Sequence, residues 1–218
     1  YIIPLICFII LKKIPKENYF IISIIGILLA LQAVVGWYMV KSGLVGRVDV
    51  SHYRLSLHLS IAFIVLGLIF YTLLKSIYYH KSNENLAKIR NVIALLLILI
   101  FFQIIYGAFV SGTDSGLLYN SWPLYNGNLL PENLITGNKF LLNVFENNEF
   151  ILFFHRTFAF IILFLIVYIN FLIFKKVTNY RTLILILSFD IIFLIQGLIG
   201  ILMTFLSIPW YMALAHQG

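Results

Sequence analysis

Long runs in which apolar residues occupy every side of a helix, separated by short polar segments, dominate the chain. Five of them are wide enough for a bilayer: Tyr19–Val40, Leu55–Leu74, Val92–Val110, Phe150–Phe174 and Leu183–Leu206. A helix rises about 1.5 Å per residue, so about 20 apolar residues cross roughly 30 Å of hydrocarbon. Membrane-barrel strands would instead alternate apolar and polar positions over roughly ten residues. The pattern therefore predicts an all-α fold, a polytopic transmembrane helical bundle. Tyr1–Leu11 reads as the tail of a helix that began earlier and Tyr211–Gly218 as the start of another. The expectation is an internal fragment of a longer chain, with five full and two partial helices in a single transmembrane domain over residues 1–218.

Composition agrees with the pattern. The 218 residues are 62% hydrophobic and 11% charged, with a mean hydropathy of +1.02, which excludes an ordinary water-soluble enzyme. The single cysteine, Cys7, lies in an apolar run, so neither a disulfide framework nor a cysteine-based metal site can form. The net charge of +7 follows the loops. Lys12, Lys13, Lys16, Lys75, Lys81, Lys88, Arg90, Lys175, Lys176 and Arg181 fall in alternate connections with Glu17 and Glu84, a sum of +8. Lys41, Arg47, Arg54, Lys139 and Arg156 fall in the others and balance Asp49, Asp114, Glu132, Glu146 and Glu149. Intramembrane Asp190 completes the total. Basic loops stay cytoplasmic, so the positive balance reports topology rather than nucleic-acid binding. Trp37, Trp122 and Trp210 then fall near the outer interface.

The one long connection, residues 111–149, is punctuated by Gly, Asn, Ser and Pro, yet carries Leu117, Leu118, Tyr119, Trp122, Leu124 and Tyr125. It reads as a cap on the outer surface rather than as disorder. A faint repeat also relates Leu31-Gln32-x-x-x-Gly36-x-x-Met39 to Ile195-Gln196-x-x-x-Gly200-x-x-Met203, each followed by a helix with an early histidine, His58 or His216. Duplicated helical halves are expected, here related by an axis along the membrane normal: residues 1–74 as the remainder of one half and 92–218 as the second.

His58, His155 and His216 each lie about five to seven residues, roughly 8–10 Å, into a helix from its outer end. Polar groups at such depth are functional candidates, and neutral imidazole ligates iron well. A hydrogen-bonded core histidine explains any one of them, but three at one depth are harder to attribute to packing. No cysteine or carboxylate joins them at a zinc spacing, and Phe153, Phe154, Phe158 and Phe160 surround one. That combination points to haem. Arg54, one turn outward of His58, and Arg156, next to His155, are candidates for haem propionates; the competing role is snorkelling to lipid phosphate. His80 reads as a solvated loop residue and His52 as interfacial or capping. Asp190, seven residues into its span, needs a partner on a neighbouring helix or Arg181 through water. Gln32, Gln103 and Gln196, each four residues before a glycine, read as close helix contacts stabilised by a buried amide.

The runs LQAVVGWYMVKSGLVGRVDVSHYRLSLHLS (31–60), GAFVSGTDSGLLYNSWP (107–123), FENNEFILFFHRTFAF (145–160) and ALAHQG (213–218) resemble, in order and over essentially the whole chain, the haem A synthase family of the cysteine-poor kind found in proteobacteria and mitochondria. The resemblance implies eight spans in two four-helix halves, in a bacterial or mitochondrial inner membrane. It further implies oxidation of the C8 methyl of haem O to a formyl group by two hydroxylations, giving haem A for cytochrome oxidase. It implies that His155 and His216 ligate a haem b cofactor and that His58 contacts the substrate haem. The matching histidine partner and a catalytic glutamate would lie in a helix preceding or including the residues before Tyr1. Implied partners are haem O, a membrane electron donor, the bilayer and the haem O synthase (protohaem farnesyltransferase) that makes the substrate; a homo-oligomer is compatible with the sequence, and nucleic acid is not a partner. A di-haem b-type cytochrome that only transfers electrons would present the same histidines. A rocking transporter is disfavoured because the polar residues cluster at the outer ends instead of the midplane.

Overall fold

The structure is a computed structural model describing residues 2–43, 50–77, 87–137, 140–174 and 180–217. Arg47, Asp49, His80, Lys81, Glu84, Lys139, Lys175 and Lys176 lie outside the described residues, as do the side chains of Lys88 and Arg181. The described residues fold into α-helices α1 (Ile2–Ile10), α2 (Tyr19–Gly43), α3 (His52–Ile77), α4 (Ala87–Gly112), α5 (Phe140–Glu146), α6 (Asn148–Phe174), α7 (Tyr180–Phe205) and α8 (Trp210–Gln217). Among them there is no strand, and one isolated bridge joins Tyr125 and Asn128. Five helices, α2, α3, α4, α6 and α7, are long and apolar enough to cross a membrane. The protein is an all-α, polytopic integral membrane protein. Each helix runs past its apolar stretch by a few residues, because backbone hydrogen bonding continues into the headgroup region where side-chain hydropathy has already fallen.

The chain divides into two compact units, Tyr1–Asn83 and Glu84–Gly218. In the first, α2 and α3 pack through Ile25, Ile61 and Val65, flanked by Ile21, Leu28, Leu29, Val35 and Leu68. A 3-10 turn, Lys16–Asn18, leads into α2. Most other apolar side chains of the pair face outward, as lipid-facing helices require.

In the second unit α4 and α6 pack through Ile89, Leu96, Ile162, Ile166, Ile169 and Ile173, with Ile186 and Phe193 of α7 against them. The side-chain oxygen of Asn147 accepts from the backbone N–H of Glu149 and Phe150 at 2.9 and 3.2 Å, an N-cap that starts α6 two residues before its apolar run. Deeper in the bundle, the Asn170 amide on α6 donates to the Asp190 carboxylate on α7 at 2.8 Å. Asp190 thus has its partner on a neighbouring helix.

The long connection folds onto the start of α6. Tyr119 and Tyr125 bury themselves against Leu152 and Phe153, and Ser115 in the 3-10 turn Ser115–Leu117 is fully buried. Further along, Asn143 of α5 accepts from the Thr136 backbone N–H and hydroxyl at 2.9 and 3.0 Å and donates to its carbonyl at 3.0 Å. The Glu149 carboxylate accepts from the Asn133 N–H at 2.8 Å. These bonds satisfy loop backbone that would otherwise lie at a membrane surface without partners.

Candidate functional site

Each of the three deep histidines faces a glycine on a different helix. A methyl group built on Gly36 (α2) would lie 2.9 Å from Cε1 of His58 (α3), one on Gly107 (α4) 3.3 Å from Cε1 of His155 (α6), and one on Gly200 (α7) 2.9 Å from Cε1 of His216 (α8). At Gly36 and Gly200 only a residue without Cβ lets the ring approach so closely, while at Gly107 the ring would have to give way slightly. One turn before each glycine stands a glutamine. The Gln32 amide nitrogen is 3.1 Å from His58 Nε2, and that of Gln103 is 3.5 Å from His155 Nε2. Gln196 differs and donates to the backbone carbonyl of His216 at 3.3 Å.

The histidines and the Gln-x-x-x-Gly spacing are visible in the sequence, but their contacts are not. Gln103 and Gly107 in particular stood outside the repeat, although they attend His155 as Gln32 and Gly36 attend His58. The signal was present as one motif occurring three times beside three histidines. What sequence alone lacked was which helix packs on which.

His155 and His216 are brought together. Their ring centroids are 6.4 Å apart and the planes nearly perpendicular, at 84°. The Gln217 side chain donates to the Ser111 hydroxyl at 3.4 Å and ties the end of α8 to α4 beside them. Nδ1 of His58, His155 and His216 is buried without a hydrogen-bond partner, as is Oε1 of all three glutamines. An imidazole bonds a transition metal through nitrogen at about 2.0–2.1 Å, so two rings sharing one metal keep their centroids about 6 Å apart. The observed separation fits that arrangement. No group of three or more His, Cys, Asp or Glu side chains capable of holding a metal occurs among the described residues. Two imidazoles can serve a metal whose remaining ligands arrive with it, as in a porphyrin.

The arginines sit differently from each other. Arg54 donates to the Ser42 hydroxyl and lies over the Tyr38 ring, 4.8 Å from its centroid. Arg156 is buried and turned into the cap: Nη1 donates to the Ser121 carbonyl at 3.1 Å, Nη2 to that of Tyr119 at 3.5 Å, and the guanidinium covers the Tyr125 ring at 4.9 Å. Adjacent positions on a helix point about 100° apart, which is why Arg156 and His155 diverge. Its partners are the two carbonyls and the ring and hydroxyl of Tyr125, and none of them is a carboxylate. Burial pushes the Tyr119 hydroxyl above its ordinary pKa, helped by its hydrogen bond to Glu149. Burial raises Tyr125 as well, against the opposing pull of Arg156.

The aromatics divide in the same way. Phe153 meets Tyr125 and Phe160 stacks on Trp122, both under the cap. Phe154 and Phe158 pack on Tyr106 of α4. His52 opens α3 with its ring against Tyr53, at a centroid distance of 4.1 Å.

A helical membrane chain with half-buried, glycine-cradled histidines matches a known family model, described as cytochrome oxidase assembly protein (COX15-CtaA), over residues 1–218. The chain belongs to that family. Among its relatives is a protein named "Heme A synthase" from Pelagibacter ubique, 39% identical over 191 residues, covering 87% of this chain and 55% of the relative. Proteins of the same name from Wolbachia pipientis subsp. Culex pipiens and Flavobacterium psychrophilum are 39% and 36% identical, each over 100% of this chain and 64% and 65% of their own lengths. The chain therefore spans less than two thirds of the length of these curated relatives.

Proposed function

We propose that the protein to which this chain belongs is a haem A synthase, an oxidoreductase that converts the C8 methyl of haem O to a formyl group by two successive hydroxylations. The observation that carries the reading is the facing pair His155 and His216, 6.4 Å apart with a buried, unpartnered nitrogen on each, in a chain whose relatives bear that name.

In this reading His155 and His216 would hold a haem b cofactor. When bound, that haem supplies the one-electron redox chemistry that no side chain provides. Residues 92–218 form the half that holds it, and residues 1–74 belong to the half that takes haem O. His58, with Gly36 giving its ring room, contacts the substrate. Arg54, one turn outward on α3, meets a propionate. Arg156 gives N–H donors to two cap carbonyls and to the Tyr125 hydroxyl; the remaining donors, on a buried cation with no carboxylate partner, suit a second propionate. Phe154 and Phe158, packed on Tyr106, would give the α4–α6 side of the site an apolar wall. The substrate's farnesyl tail favours a site inside the bilayer, where it never crosses water. The site then lies toward the extracytoplasmic side of the inner membrane, supplied with haem O by a farnesyl-transferring enzyme and with electrons by a membrane donor. No catalytic acid or base is assigned within residues 1–218.

The test uses the full-length protein in membranes. His155→Ala or His216→Ala is expected to remove the low-spin haem b spectrum. His58→Ala is expected to keep that spectrum and abolish haem A, read by extraction and chromatography of the pigments. Full haem b content in both ligand variants would refute the assignment. Haem that cycles between redox states with no haem A formed from added haem O would favour the electron-transferring cytochrome instead.

A further inference from the structure

The short helix α5 is built inside out. A helix that packs on a protein core beside water turns its apolar side chains inward and its polar ones outward. In FLLNVFE (140–146) the buried side chain is Asn143, 3% exposed, whereas Leu141, Leu142 and Phe145 are 73%, 53% and 43% exposed. Successive helical residues stand about 100° apart, so Leu141, Phe145 and Leu142 share one sector about 100° wide, and Asn143 falls on the other side. The inward face is fully matched. Thr136 gives Asn143 a backbone N–H and a hydroxyl and takes its amide N–H, and the Asn147 amide also donates to Asn143 Oδ1, at 3.0 Å. Val144, beside it, packs against the Tyr106, Phe109 and Ile151 cluster. Turning α5 over to hide its leucines would break all of these contacts.

Two rings fix the level at which α5 lies. Phe140, at its start, meets Phe150 of α6 edge-on at a centroid distance of 5.8 Å, and Phe145, near its end, meets Phe109 of α4 at 6.3 Å. Phe150 is the third residue of α6, and Phe109 comes three residues before the last of α4. At about 1.5 Å per residue, both contacts lie within roughly 5 Å of the ends of the two membrane-crossing helices. Both rings also belong to the apolar runs of those spans. Asn147 alone separates α5 from α6. The helix therefore lies across the ends of the spans, level with their last apolar turns, where the boundary between headgroups and acyl chains surrounds it. We infer that α5 is an interfacial helix that docks on zwitterionic phospholipid. It lies in the plane of the membrane, with Leu141, Leu142 and Phe145 among the upper acyl chains and Asn143 tying the connection to it from the protein side. Glu146, the one charged residue of α5, is exposed at the edge of the apolar sector, where a headgroup ammonium can meet it. Such a helix buries its apolar face about 5–10 Å into the boundary.

The test uses the full-length protein in vesicles of phosphatidylethanolamine and phosphatidylcholine, with its native cysteines, Cys7 among them, replaced by serine. Nitroxide labels are placed singly at Leu141→Cys, Leu142→Cys and Phe145→Cys. Glu132→Cys on the exposed connection and Phe164→Cys on the exposed face of α6 serve as references. Collision with oxygen, which concentrates in hydrocarbon, and with a nickel chelate, which stays in water, reads the depth of each label. The three α5 labels are expected between the two references, about 5–10 Å into the boundary. Nickel access equal to that at Glu132→Cys would put the face in water. Labels shielded from both reagents would mean that protein covers it, from the same chain or a second copy. Either result overturns the inference. A second measurement needs no substitution: phosphatidylcholine with a photoactivatable group in its acyl chain should leave lipid adducts on residues 140–145 of the unmodified protein. Adducts confined to the five spans would overturn the inference as well.

Discussion

A glycine under an imidazole sets how near the ring can lie to the neighbouring helix. At Gly200 an added methyl would sit 2.9 Å from His216 Cε1, closer than real contacts allow, so the ring must move. Gly197, one turn earlier on the same helix, has nothing within 4 Å of its added methyl. Replacing a helical glycine by alanine gains about 0.5–1 kcal/mol of backbone entropy. Gly197→Ala is therefore expected to be neutral or slightly stabilising, with haem content unchanged. Gly200→Ala has the same backbone gain yet should lose most of its haem b per protein, measured as the pyridine haemochrome. Gly107→Ala, with 3.3 Å to His155 Cε1, should fall between them. Equal haem content in Gly197→Ala and Gly200→Ala would show that the cradle has no part in ligation. Histidines in an apolar run announce themselves in a sequence, because burying imidazole needs a reason. Their glycines do not, since a glycine in a membrane helix also suits plain helix contact.

Among elements, the cap and α6 depend on each other through Arg156. Its two carbonyl partners, on Tyr119 and Ser121, belong to the segment that covers Phe153 and Leu152. Hydrogen bonds from a charged group contribute about 1.5–3 kcal/mol, so Arg156→Gln should speed amide exchange in residues 117–128 roughly 10- to 100-fold. Arg156→Lys should restore little, because one ammonium cannot span two carbonyls and also lie flat on the Tyr125 ring. Exchange in Arg156→Gln equal to that of the unmodified protein would mean the loop is held by its tyrosines alone. The pH dependence follows from those tyrosines. Their folded pKa values lie above the ordinary value, so the stabilisation they report is present at neutral pH and is lost as pH rises through the raised values. Cap opening, followed by tyrosinate absorbance, should begin only above about pH 10. The five spans are legible in the sequence because hydropathy marks them, but hydropathy does not pair them. Apolar on all sides, the helices offer no stripe that identifies a neighbour. Asn170, the partner of Asp190, was legible as a lone amide in an apolar run, but only packing joined the two.

For the whole molecule the decisive quantity is the charge of its connections. Alternate loops sum to +8 on one side and to zero on the other. Basic residues resist translocation, so the side carrying Lys12, Lys75, Arg90 and Arg181 is expected in the cytoplasm. On that expectation the cap, and with it the end of α6 that holds His155, would lie on the opposite face. Because Cys7 is the single cysteine, a Cys7→Ser background permits single-site labelling. Ser82→Cys lies in a basic connection and Leu129→Cys at a cap residue that is 81% exposed. In oriented membrane vesicles an impermeant maleimide should modify Leu129→Cys from the extracytoplasmic side only and Ser82→Cys from the cytoplasmic side only. Both sites labelled from one side would break the five-span count, since α4 alone separates the two connections. Opposite but exchanged labelling would keep the count, yet turn the cap and the His155 end of α6 toward the cytoplasm. A chain so inverted would carry its +8 loops across the membrane, against the bias that governs short connections.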